Sequence, residues 1–83
     1  MCTIITKSLR TFFNQTVPEY YKYTINNNKV VETELTPSEA RTCIRENNYP
    51  ELFRLDHNNV IWGDSNFKEK CPNSFKRQLE FLI

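Results

Sequence analysis

The chain has 83 residues with 11 basic and 10 acidic side chains, so its formal net charge of +1 excludes a global field that would draw it to nucleic acid or to an anionic membrane. Ile, Leu, Val and Phe supply 22 of the 83 residues, enough for a folded chain, and the length sets a single domain over residues 1–83 with a small core. No stretch approaches the roughly 20 apolar residues that span a bilayer.

Cys2 to Thr6 is a short β-branched run, read as an edge strand, and Leu9, Phe12 and Phe13 then fall at helical spacing over Lys7 to Gln15. Val17-Pro18 closes that short helix. From Tyr20 the period changes to two: Tyr21, Tyr23 and Ile25 on one face, Lys22 and Thr24 on the other. Asn26-Asn27-Asn28 suits the left-handed turn of a hairpin, because Asn tolerates that backbone region, and Lys29 to Leu35 forms the returning strand. Its Glu32 and Glu34 share a solvated face.

The strongest local signal follows. Thr36 and Glu39 form a capping box, Pro37 stands where a helix needs no donor, and Ala40, Cys43 and Ile44 trace one apolar face with Arg41 and Arg45 opposite. Asn47-Asn48 ends the helix and Tyr49-Pro50 forbids its continuation. A second hairpin joins Glu51 to Leu55 with Val60 to Trp62 through Asp56-His57-Asn58-Asn59. Gly63 breaks the strand, Asp64 or Ser65 caps a short helix through Lys70, and a last helix over 74–83 carries Phe75, Leu79 and Leu82 on one face. The pattern predicts an α+β fold: a small, mostly antiparallel sheet from two hairpins, covered on one face by two or three short helices. Hairpin followed by helix occurs twice, although few residues match between the two units.

Motifs of catalysis are scarce. Cys2, Cys43, Cys71 and His57 have suitable donor atoms for zinc, but they lack the close pairs that pre-position metal ligands, so no metal and no other cofactor is expected. His57 beside Asp56 has no oxyanion or phosphate loop, the chain having one glycine, and an enzyme is not expected. The N-terminus lacks a secretory apolar core, which points to the cytoplasm and to free thiols. Ten asparagines against one glycine and one alanine indicate an AT-rich coding sequence, as in many viruses and phages, and for a viral protein the compartment is the host cytoplasm.

What stands out is aromatic excess. Eleven aromatic side chains are many for this length, and Phe81 falls off the stripe of its helix. Aromatics and arginine dominate protein contact surfaces. The expectation is therefore a small non-enzymatic protein-binding factor, of the kind a virus or phage directs at a host protein to inhibit or modulate it, or one that pairs with itself. Its contact residues would come from Tyr20, Tyr21, Tyr23, Arg41, Arg45, Phe53, Trp62 and Phe81. The alternative is an RNA- or single-strand-binding module that uses Lys68, Lys70, Lys76 and Arg77 with the tyrosines, since cations meet phosphates and rings stack on bases.

Overall fold

The computed structural model describes residues 2–73, 75 and 76. Strands β1 (Cys2–Phe12), β2 (Gln15–Asn26) and β3 (Lys29–Leu35) are followed by helix α1 (Pro37–Asn47), strands β4 (Glu51–Asp56) and β5 (Asn59–Gly63), and the short helix α2 (Phe67–Lys70). The five strands form one antiparallel sheet in the order β3-β2-β1-β5-β4. The sheet dominates, more than the expected balance of strand and helix.

The N-terminal segment is where the expectation is corrected. Residues 7–12 continue β1 instead of forming a helix, and Val17 and Pro18 lie inside β2. Helical spacing of Leu9, Phe12 and Phe13 is overridden by pairing with β2, which runs without a break from Cys2 opposite Ile25 to Phe12 opposite Gln15. Nor is β1 an edge. It lies between β2 and β5, and Cys2 to Thr6 are all buried because both faces of a central strand are covered.

Those two faces hold separate cores, since successive side chains of a strand point to opposite sides. Ile4 packs with Cys2, Ile61, Phe67, Cys71 and Phe75 on one side. Ile5 packs with Tyr20 and Ala40 on the other, supported by Leu35, Cys43, Ile44, Tyr49 and Trp62. The helices therefore cover opposite faces rather than one: α1 lies over Ile5, α2 beside Ile4.

Helix α1 is built as its sequence predicts. Thr36 Oγ1 accepts from the Glu39 N–H at 3.1 Å, the Glu39 carboxylate accepts from the Thr36 N–H at 3.0 Å, and Asn48 ends the helix at φ 53°. The turn after β2 likewise places Asn27 and Asn28 at φ 51° and 64°. Helix α2 is shorter than expected and has no side-chain N-cap. Asp64 is engaged elsewhere: its carboxylate accepts the Thr3 N–H at 2.8 Å, and its own N–H reaches the Thr3 carbonyl at 2.9 Å, so it ties β5 to the start of β1. Ser74 and residues 77–83, with Arg77 and Phe81 and most of the expected last helix, lie outside the described residues. Among the described residues no helix is long and apolar enough to cross a membrane.

Candidate functional site: a projecting aromatic ribbon

Beyond Lys7 and Tyr20 the sheet narrows to two strands. The last partner of β1 on the β5 side is Val60, opposite Lys7, and the last partner of β2 on the β3 side is Leu35, opposite Tyr20. Residues 8–12 and 15–19 therefore pair only with each other, joined by Phe13 and Asn14. The ribbon is the outer part of an 11-residue strand that spans roughly 36 Å, close to the molecule's longest dimension of 38 Å.

Residues 9–18 are all exposed and yet include large apolar side chains. Phe13 is 86% exposed, Phe12 55%, and Leu9 and Val17 are each 42% exposed. Phe12 and Phe13 meet edge to face with ring centroids 4.4 Å apart, and the Arg10 guanidinium lies 5.8 Å from the Phe12 ring. Arg10 also reaches diagonally across the pair to Glu19 at 3.0 Å, and that hydrogen bond with the Glu19 charge holds the guanidinium proton more tightly than usual.

The turn itself is strained. Phe13 and Asn14 have φ 48° and 62°, the double left-handed geometry of a two-residue hairpin. Asn adopts that region readily, but a bulky residue there is an outlier. The same chain makes its β2–β3 turn with Asn27-Asn28, so the fold does not require an aromatic at such a position.

The two edges of the ribbon differ. Antiparallel pairs alternate between hydrogen-bonded and open, and a two-residue turn closes on a bonded pair, here Phe12 with Gln15. Counting back, Thr16 and Pro18 turn their backbone groups away from β1. Pro18 has no N–H, so this edge offers few donors, which is how natural sheets blunt an edge. Beside it lies a groove of about 740 Å³, floored by Phe12, Val17, Pro18, Leu35 and Pro37. Glu19, Glu34 and Glu39 line it with Arg10.

The other residues singled out from the sequence are scattered. Tyr20 is 8% exposed under α1, whereas Tyr21 and Tyr23 lie on the opposite face with centroids 6.4 Å apart. The three tyrosines thus form no common platform. Burial first, then the charges of Glu19, Glu34 and Glu32, raises the Tyr21 phenol above its ordinary pKa. Burial, then Glu32, does the same for Tyr23, whose ring packs on Phe75 at 5.2 Å. Trp62 packs beneath α1 and Phe53 against the Ile4 core, both half-buried. Arg41 and Arg45 are exposed on α1, while Lys68 and Lys70 are exposed on α2 and Lys76 is half-buried.

His57 is an exposed turn residue whose carbonyl accepts from Lys7 Nζ at 3.0 Å. Asp56 shapes that turn. Its carboxylate accepts from the Asn58 N–H at 2.7 Å and, with Asn59, is held below its usual pKa. Cys2, Cys43 and Cys71 are unpaired thiols, and among the described residues no three His, Cys, Asp or Glu side chains gather as metal ligands.

Sequence reasoning passed over Leu9, Phe12, Phe13 and Val17. A signal was present: Asn14, a residue that tolerates the left-handed turn region, stands between the β-branched run of Cys2 to Thr6 with its continuation and the β-branched pair Thr16-Val17. The fold and this ribbon define a class by geometry, an antiparallel sheet with a projecting aromatic-tipped hairpin. Comparison with family models, curated proteins and solved structures finds no match to this chain.

Proposed function

We propose that the chain is a protein-binding module whose principal contact element is the tip of the β1–β2 ribbon. The observation that carries this reading is Phe13, the most exposed of the large apolar side chains among the described residues, held in a backbone conformation that disfavours it. Strain of this kind costs on the order of 1–3 kcal/mol and persists where something else requires the residue. Inserted in an apolar pocket of a partner, Phe13 would recover about 1.5–3 kcal/mol through burial and Phe12, 55% exposed, roughly half as much. A hairpin tip also presents its rings with little loss of freedom on binding, because paired strands already hold it. Arg10, laid over Phe12, adds a polar group at the base of the tip. Such a module acts by occupying a site on its partner, and no reactive group of its own enters.

Photo-crosslinking tests this. With p-benzoylphenylalanine at position 13 in the full chain, a discrete adduct with a partner polypeptide is expected, and unlabelled native protein should compete it away. The Phe13→Asn protein should not compete. The same probe at Leu55, 71% exposed on β4, should give no such adduct. Equal adducts from both positions, or competition by Phe13→Asn as strong as by the native chain, would overturn the reading.

A further inference from the structure

We infer that the groove beside the β2 edge of the ribbon seats a cationic side chain, arginine or lysine, from an otherwise apolar segment of a partner polypeptide. This rests on the protein-binding reading and names the chemistry of the partner at a second point, next to the tip.

The first argument is the balance of donors and acceptors. Where β3 has ended, the outward backbone groups of β2 are those of Thr16 and Pro18, and Pro18 contributes a carbonyl without an N–H. A partner strand adding to this edge would leave its acceptor opposite Pro18 unmatched, whereas a guanidinium or ammonium group brings only donors. Charge points the same way. Three carboxylates line the groove against one guanidinium. Arg10 is already spent on Glu19 at 3.0 Å, and Glu39 is bound to the Thr36 N–H. Glu34, exposed on β3, has no ion-pair partner among the described residues.

The groove ends at the start of α1, where a helix normally presents partial positive charge. Here the Glu39 carboxylate sits on that terminus and opposes its partial positive charge. The same carboxylates reach Tyr21, whose phenol is raised first by burial and then by the charges of Glu19, Glu34 and Glu32. Val17, Leu35 and Pro37 then offer an apolar floor to residues flanking the cation. A nucleic acid strand fits poorly, because its phosphates would face the carboxylates.

The test uses the full chain and two fluorescein-labelled heptapeptides, one alternating arginine with valine and one alternating glutamate with valine. Anisotropy should show saturable binding of the arginine peptide only, with amide shifts of the ¹⁵N-labelled protein centred on Val17, Glu34 and Leu35. Glu34→Lys should weaken binding about tenfold or more, as loss of a charge-assisted contact does, with thermal melting unchanged. Leu55→Asn should bind the arginine peptide as the native chain does, since Leu55 lies on β4 and does not line the groove. Equal binding of both peptides, shifts centred elsewhere, full affinity in Glu34→Lys, or no binding of the arginine peptide at millimolar concentration would each overturn the inference. A tip cross-link that survives such a result would leave the ribbon reading standing, so the two fail separately.

Discussion

Phe13 and Asn27 occupy equivalent first positions of two-residue turns, at φ 48° and 51°, yet one is aromatic and the other is the residue that geometry favours. Relieving the left-handed strain of Phe13 is worth about 1–2 kcal/mol, against roughly 0.5–1.5 kcal/mol for its edge contact with Phe12, so Phe13→Asn should leave stability equal or slightly higher. A melting temperature that falls by several degrees would show that Phe13 is structural. Gly63 obeys the opposite logic. It has φ 146°, and a Cβ there would meet the Thr3 carbonyl oxygen and come within 2.6 Å of the Ile4 Cα, both backbone of the central strand. Gly63→Ala should destabilise by about 3–4 kcal/mol and lower the melting temperature by more than about 10 °C. The glycine read from the sequence as a strand breaker is the last residue of β5, at a position where the backbone of β1 leaves no room for a Cβ.

Among the elements, α1 carries its own start signal and the ribbon carries none of the core. Thr36→Ala removes one half of the capping box and should cost about 1 kcal/mol, measurable by chemical denaturation. The ribbon predicts the reverse. Replacing residues 9–18 by Asn-Gly closes the turn on Ser8 and Glu19, which lie opposite each other at a hydrogen-bonded pair by the alternation counted from Phe12. That shortened chain should retain its β-sheet circular dichroism and its melting temperature within a few degrees, while failing to compete the position-13 cross-link of the full chain and failing to bind the arginine peptide. Cooperative unfolding lost with the ribbon would mean that it supports the sheet.

At the scale of the molecule, pH should act from both sides of a plateau. Burial chiefly raises the phenols of Tyr21, Tyr23 and Tyr49 and the thiol of Cys71. The folded chain then holds these protons more tightly than the unfolded one. That stability is complete below the unfolded values, about 8.5 for a thiol and 10 for a phenol, and is lost as pH rises through the folded ones. Glu39 and Asp56 are lowered by the backbone N–H groups of Thr36 and Asn58. Their contribution is present above about pH 4 and lost as pH falls further. Melting temperature against pH should therefore decline on both limbs, and Tyr23→Phe should move the alkaline limb upward.

Much of this was legible residue by residue. The capping box of Thr36 and Glu39, the Asn27-Asn28 turn, the period-two run from Tyr20 and the paired strands around His57 are local features, each written in neighbouring side chains and each present in the fold. What was not legible involves partners far apart in the chain. Leu9, Phe12 and Phe13 satisfy a helical spacing as well as a strand, and only pairing with Gln15 to Glu19 breaks the tie. Cys2 to Thr6 becomes central because β5 joins it from some sixty residues away, through Ile5 with Trp62 and the Asp64 carboxylate on Thr3. The site follows from that same asymmetry: β3 and β5 flank β1 and β2 along only part of their length, which leaves the aromatic tip and the acidic groove uncovered. Turns and caps are local chemistry and can be read from neighbours. Strand order, the sidedness of each helix and the length of unpaired ribbon are set by which distant backbones share hydrogen bonds, and no short stretch of this chain encodes them.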